Sequence, residues 1–167
     1  MSLSPTARRA PLALSLALAL AACAGGGPDV EVPTPKGEAA QACRELAPEL
    51  PRQAGEQERR TLDQDTPYAA VWGDPAIVLR CGVGRPEVIT PGSDAYVLSP
   101  DSIEVNGVSW LIEEEADGLR CTTTGREVFV EVTVPDDYET TANPLVEISG
   151  PVDRHIPLDA LWSQLEE

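Results

Sequence analysis

Residues 103–112 read Ile-Glu-Val-Asn-Gly-Val-Ser-Trp-Leu-Ile, and this stretch decides the fold class because it specifies a β-hairpin. Asn-Gly is the preferred pair for a two-residue hairpin turn, since both turn positions need a positive φ. A turn at this pair places Val105 opposite Val108 and Ile103 opposite Trp110, with the apolar side chains on one face. The sequence therefore predicts an antiparallel sheet that buries one of its faces.

Three further strands are expected beside this hairpin. Residues 77–81 alternate, with three apolar side chains on one face. Residues 119–123 and 126–134 predict a second hairpin with a two-residue turn between them, because valines alternate with other residues in the later segment. In this register Cys121 lies opposite Val128. The expectation is a small antiparallel sheet of about five strands.

Helices are expected at both ends of this β region. Apolar residues recur at three- and four-residue steps over residues 39–50, which predicts one main N-terminal helix packed on the sheet. Residues 52–67 carry seven charges and no apolar stripe, so they are interpreted as a solvated loop or a short exposed helix. Residues 143–148 and 158–165 predict short C-terminal helical turns, the first stopped by Gly150-Pro151. The predicted fold class is α+β.

The first 22 residues have the features of a bacterial lipoprotein signal. Arg8 and Arg9 precede a short apolar segment over residues 11–22, which ends in small residues before Cys23. This segment is shorter than the roughly 20 residues that a transmembrane helix needs. Leu-Ala-Ala-Cys resembles the lipobox, whose cysteine is diacylated before the leader is removed. We expect Cys23 to be the lipid attachment site, on the extracytoplasmic face of the cell membrane.

The chain is thus expected to have three parts. Residues 1–22 are interpreted as the signal peptide, residues 23–37 as a lipid-anchored flexible tether, and residues 38–167 as a single α+β extracytoplasmic domain. The tether region is rich in glycine and proline and has no apolar periodicity. At about 3.1 Å per residue, an extended proline-rich segment of this length reaches roughly 40 Å from the bilayer.

The charge of the chain excludes some partners. Loss of the leader removes two arginines and leaves 10 Lys+Arg against 28 Asp+Glu, a formal net charge of −18. Nucleic acids and anionic lipid surfaces would repel such a chain. We expect no nucleic-acid partner, contact with the membrane through the N-terminal lipid, and an envelope protein or cell-wall component as a further partner. No cofactor is expected.

Three cysteines remain in a compartment where disulfides persist. Cys43 lies on the apolar face of the predicted helix and Cys81 on the apolar face of a predicted strand, so we favour a disulfide between them. Cys121 is then a free thiol in the core. The alternative is a zinc site in which these three thiols join His155. These four residues have 37, 39 and 33 residues between one and the next, whereas zinc ligands usually come in close pairs. We therefore expect no metal site.

The sequence contains no recognisable catalytic set. It has one histidine, and no G-x-S-x-G elbow precedes a helix. Arg80, Arg85 and Arg126 lie beside glycine- and proline-rich turns, and if they converge they could bind a carboxylate or phosphate through forked hydrogen bonds. By strand alternation, however, Arg80 points away from the core and Arg126 towards it. We expect a non-enzymatic binding or interaction module; the alternative is a receptor or enzyme for a small anionic envelope ligand.

Four segments carry a resemblance to a known family. They are WGDPAIVLRCGVGRP at residues 72–86, VNGVSWL at 105–111, TTTGR at 122–126 and EVFVEVTVP at 127–135. Over about residues 43–152 the chain resembles the uncharacterised actinobacterial lipoprotein family known as domain of unknown function 3515. The resemblance implies an envelope location and supports the disulfide. It also implies that the position of Cys121 more often holds an aromatic residue, and it implies no activity.

Overall fold

A computed structural model of the chain describes residues 27–138 and 143–164, apart from the side chains of residues 143 and 162. The predicted signal peptide and Cys23 lie outside these ranges. Within them, no helix is long and apolar enough to cross a membrane.

The described residues form one eight-stranded antiparallel sheet and two α-helices. The helices are α1 (Gly37–Leu46) and α2 (Asn143–His155). The strands are β1 (Gln53–Ala54), β2 (Gln57–Arg60), β3 (Ala69–Trp72), β4 (Ile77–Val83), β5 (Ser102–Val105), β6 (Val108–Glu115), β7 (Gly118–Thr123) and β8 (Phe129–Pro135). Their order across the sheet is β1-β2-β3-β4-β8-β7-β6-β5. Both helices pack on one face, here called the inner face, and the opposite face is the outer face.

The prediction of about five strands is wrong, because β1, β2 and β3 were not expected. β2 reads Gln-Glu-Arg-Arg near one edge of the sheet and is mostly exposed, so it lacks a buried face. β3 reads Ala-Ala-Val-Trp and is buried on both faces. Such a strand shows no alternation of period two, which explains why the sequence pattern did not reveal it.

The C-terminal helical segment is also longer than predicted. α2 passes through Gly150 and Pro151 and has 13 residues, three more than α1. An interior proline costs about 3 kcal/mol. Ile148, Val152 and Ile156 follow each other at four-residue steps and are fully buried, and their burial offsets this cost. The sheet therefore carries two main helices rather than one.

The first hairpin is confirmed. Val105 pairs with Val108 and Ile103 pairs with Trp110, across a turn whose two residues have φ values of 48° and 78°. The indole of Trp110 is fully buried and donates a 3.0 Å hydrogen bond to the hydroxyl of Ser149 in α2. This hairpin therefore also fixes the position of α2 on the inner face.

The predicted register of the second hairpin is wrong, because in the structure Cys121 pairs with Val132 rather than with Val128. Residues 125–127 do not continue β8 but bond to the C-terminal segment. The amide of Glu127 donates to Pro157 at 3.0 Å, and the carbonyl of Gly125 accepts from Asp159 at 3.0 Å. These contacts widen the connection between β7 and β8. The shift is an even number of residues, so the inner and outer faces of β8 are unchanged.

A disulfide joins α1 to the inner face of the sheet. It links Cys43 to Cys81, with a Cα–Cα distance of 5.7 Å, as predicted. Cys121 is the free, buried thiol of the described residues. Because two of the three thiols are bonded to each other, they cannot form the zinc site with His155.

Residues 27–36 of the predicted tether lie against the outer face without forming a helix or strand; we call them the N-terminal strap. The last residue of the predicted tether, Gly37, begins α1. Val30 is 7% exposed and packs with Ala69 and Val71 of β3. The amide of Gly27 donates a 2.7 Å hydrogen bond to Asp63. From residue 27 onwards the chain is therefore attached to the sheet at these points.

Candidate functional site

The connection between β4 and β5 builds a cavity on the outer face. Three strands separate β4 from β5, so residues 84–101, here called the crossover, have to pass them. Between the crossover and the sheet lies a cavity of 390 Å³, here called the outer-face cavity. The crossover contributes residues 84–88 and Ala95 to its wall, and the sheet contributes Glu113, Arg120, Thr122 and Glu131.

Glu131 is a buried carboxylate on the cavity wall. It alternates along β8 with the fully buried Val130 and Val132 of the inner face, and it is itself only 6% exposed. Arg80 of β4 donates a hydrogen bond to its Oε1 from Nε at 2.8 Å, and Nη2 of Arg80 forms an ion pair with the same oxygen at 2.7 Å. A buried charge needs such a partner. The second oxygen, Oε2, is not engaged by Arg80 and remains an acceptor.

Thr122 lies beside Glu131 on the same wall. The two residues pair across β7 and β8, and Thr122 is 1% exposed. Its Oγ1 atom has no hydrogen-bond partner among the described residues. A buried hydroxyl without a partner costs about 1–3 kcal/mol, so this atom points to a polar group that occupies the cavity.

Arg120 is held in place by carboxylates. Its Nη1 lies 2.7 Å from Glu115, and its Nε donates to Glu113 at 3.3 Å. Burial acts to lower the pKa of Arg120, but the hydrogen bond that it donates to Glu113 and the charges of Glu113, Glu115 and Glu131 raise it above its ordinary value. Arg120 is therefore a fixed cation whose charge is already balanced by its neighbours.

Arg85 is the exposed cation of the cavity. Its guanidinium carbon lies 5.3 Å from the centre of the Phe129 ring, a geometry typical of a cation–π contact. Within the described residues Arg85 forms no ion pair. It therefore differs from Arg80 and Arg120, whose charges are paired, and it is available to an anionic group.

The structure does not bring the three predicted arginines together. Arg80 and Arg85 lie on the outer-face side, Arg80 behind Glu131 and Arg85 on the cavity wall. Arg126 is 5% exposed and contacts the C-terminal end of α2, with a 2.9 Å bond to the carbonyl of Ile156 and a 2.7 Å contact with Asp153. Its partners place it on the helix side of the sheet, where it supports the fold.

Sequence reasoning missed the polar residues of the cavity wall. Thr122 and Glu131 stand at the outward positions of strands whose inward positions are mostly apolar, a pattern that usually indicates solvent exposure. The crossover lies opposite them across the cavity. The signal available in the sequence was the long segment between residue 83 and the hairpin at residue 103, which is unusual for a connection within a compact domain.

The remaining expectations on sites concern lipid and metal. Cys23, the predicted lipid attachment site, lies outside the described residues. Across residues 27–138 and 143–164, no group of three or more histidine, cysteine, aspartate or glutamate side chains is arranged to hold a metal ion.

Comparison with known proteins gave one match. The model of the family described as protein of unknown function, DUF3515, matches residues 12–161 of the chain. No curated protein and no solved structure matches the chain.

Proposed function

Since the chain belongs to the DUF3515 family of proteins of unknown function, we propose its function from its own residues: a lipid-anchored protein of the cell envelope that binds a small polar molecule in the outer-face cavity. The proposed anchor is Cys23, and the proposed location is the extracytoplasmic face of the cell membrane. The leader with Arg8, Arg9 and a short apolar run supports the location.

The unpartnered hydroxyl of Thr122 carries the binding proposal. A solvated sheet face would satisfy this group with bulk water, whereas here it is 1% exposed and belongs to the wall of a charged cavity that is partly open to solvent. Convergent polar groups in a concave space are a feature of small-molecule sites. The outer face is therefore the proposed binding face, while the inner face is occupied by the two helices.

Binding is favoured over catalysis. A hydroxyl nucleophile requires a general base within hydrogen-bond reach, and Thr122 has no hydrogen-bond partner among the described residues. Glu131, its neighbour, forms no hydrogen bond with this hydroxyl, and its charge is paired with Arg80. The proposed protein therefore holds its ligand without transforming it.

The second candidate, a site for an anionic envelope ligand, is supported by Arg85 alone. Arg80 is paired with Glu131, and Arg126 is bound to the end of α2. Arg85 has no such partner and lines the cavity. An anionic group would therefore bind at Arg85, and the three arginines would not act as a set.

The anchor is tested by removing the thiol. Mass spectrometry of the membrane fraction should identify a diacylated N-terminal Cys23, and a Cys23→Ala protein should leave that fraction. Cys121→Ala, which removes a thiol elsewhere, is the matched control and should stay in the membrane. Retention of Cys23→Ala in the membrane would overturn the anchoring proposal.

The binding site is tested with an extract of small envelope molecules. The full chain, purified in detergent, is mixed with the extract and filtered, and retained molecules are identified by mass spectrometry. At least one molecule should be retained by the wild type and lost with Thr122→Val. Thr133→Val, on the outer face of β8 but outside this cavity, is the control and should retain it. Equal retention by all three proteins would contradict the proposal.

A further inference from the structure

Resting on the proposed binding function, we infer that the outer-face cavity takes a small zwitterion of the amino-acid class, an amino acid or a dipeptide. The ammonium group binds at Thr122 and Glu131, and the carboxylate binds at Arg85. This assignment follows from the charges that the cavity leaves unpaired.

The sheet side of the cavity presents two hydrogen-bond acceptors without a protein donor. Arg80 occupies only Oε1 of Glu131, so Oε2 can accept. The adjacent Oγ1 of Thr122 has no partner and can accept as well. Arg120, the other charged group of this wall besides Glu113, is already held by Glu113 and Glu115. A cationic donor such as an ammonium group would satisfy both open acceptors at once.

The crossover side carries one cation, Arg85, beside one carboxylate, Glu87. Arg85 is exposed, rests on the ring of Phe129 and forms no ion pair within the described residues. Its planar guanidinium can hold a carboxylate through two parallel hydrogen bonds. The contact with Phe129 holds the guanidinium near the ring, and a side chain restricted in this way loses less entropy on binding.

The two open sites select a ligand with opposite charges at its ends. A dicarboxylate would place an anion against Glu131, and a diamine would leave Arg85 unpaired. The cavity volume of 390 Å³ falls near the lower end of the range for small-molecule sites, about 300–1,000 Å³. An amino acid or dipeptide fits this volume.

The ligand class is tested by calorimetric titration of the full chain in detergent with the standard amino acids and alanyl-alanine. At least one should bind. Its N-acetylated form, which lacks the ammonium group, and its amide form, which lacks the carboxylate, should each bind at least tenfold more weakly, because each loses a charged hydrogen bond.

Matched variants locate the site. Thr122→Val should weaken binding roughly tenfold and raise the Tm of the ligand-free protein, because valine removes the unpaired buried hydroxyl. A residue that only supports the fold would not change both quantities in this way. Arg85→Gln should weaken binding of the zwitterion at least tenfold but leave binding of its amide form unchanged. Thr133→Val and Arg52→Gln are the controls and should bind as the wild type does.

The outcomes separate this inference from the proposed function. Absence of binding by all amino acids and alanyl-alanine at millimolar concentration overturns the zwitterion assignment, as does equal binding of the N-acetylated form. Recovery of a different molecule from the extract, lost with Thr122→Val, would keep the binding function and overturn the ligand class. If no amino acid or dipeptide binds and the wild type also retains no molecule from the extract, both the ligand class and the binding function are overturned.

Discussion

At the scale of single residues, Arg126 is a buried cation that joins the end of α2 to the turn between β5 and β6. Its side chain is 3% exposed and reaches the carbonyls of Ile156 and Gly107 at 2.9 and 2.8 Å. Arg126→Met leaves these acceptors unpaired, so we expect the free energy of unfolding to fall by about 3 kcal/mol. Urea denaturation measures it. Arg52→Met at an exposed arginine is the control, and an equally small effect at both positions would contradict this role.

Cys121 is a second buried residue with a measurable signature. Burial raises the pKa of its thiol from its ordinary value of 9.0 to about 12. At pH 8 the Cys121 thiol of the folded protein should therefore resist a thiol reagent and should react after unfolding. Rapid modification of the folded protein would refute this burial.

The same pKa shift makes a prediction about alkaline stability. The unfolded thiol loses its proton near pH 9 and the folded one only near pH 12. The stability that the neutral thiol contributes is complete below pH 9 and is lost as the pH rises towards 12. Denaturation at a series of pH values should show a steeper loss for the wild type than for Cys121→Val. Parallel curves would contradict the shift.

At the scale of elements, the turn of the β5–β6 hairpin depends on glycine. Gly107 has a φ of 78°, which an L side chain adopts with strain. Gly107→Ala should lower the free energy of unfolding by about 1 kcal/mol, as measured by urea denaturation. Gly84→Ala is the control, since its φ is not positive and a Cβ there meets no atom within 4 Å. A similar loss in both variants would argue against the turn.

The disulfide between α1 and β4 is the second prediction at this scale. It joins residues 38 positions apart, and replacing both cysteines with alanine should lower the free energy of unfolding by about 4 kcal/mol in the chain-entropy model. The double variant avoids leaving one free thiol. If its denaturation midpoint matched that of the wild type, the link would contribute no stability.

The elements also show where sequence reasoning ends. The hairpin at residues 103–112 was predictable because its turn and its register are set by neighbouring residues. The register of β8 was not, since residues 125–127 bond to residues 157–159, about 30 positions further along the chain. The candidate site depends on the same kind of contact, because Arg80 meets Glu131 only when β4 pairs with β8.

At the scale of the whole molecule, the sheet separates stability from binding. The inner face holds both helices and the disulfide, whereas the outer face holds the strap, the crossover and the proposed ligand site. Changes at Thr122 and Arg85 are therefore expected to alter binding without unfolding the protein. This separation is what makes the titration experiments interpretable.

The hydrogen bond between Gly27 and Asp63 determines how the proposed anchor would position the molecule. Only three residues separate Cys23 from Gly27. Four residue-to-residue steps of at most about 3.6 Å each allow a distance of at most roughly 14 Å between these two residues. The strap is bound to the sheet from Gly27 onwards, so the anchor would not use the roughly 40 Å reach of a free segment of that composition. With Cys23 acylated, the connection between β2 and β3 would stand close above the lipid headgroups, and the protein would sample molecules at the bilayer surface in a restricted orientation.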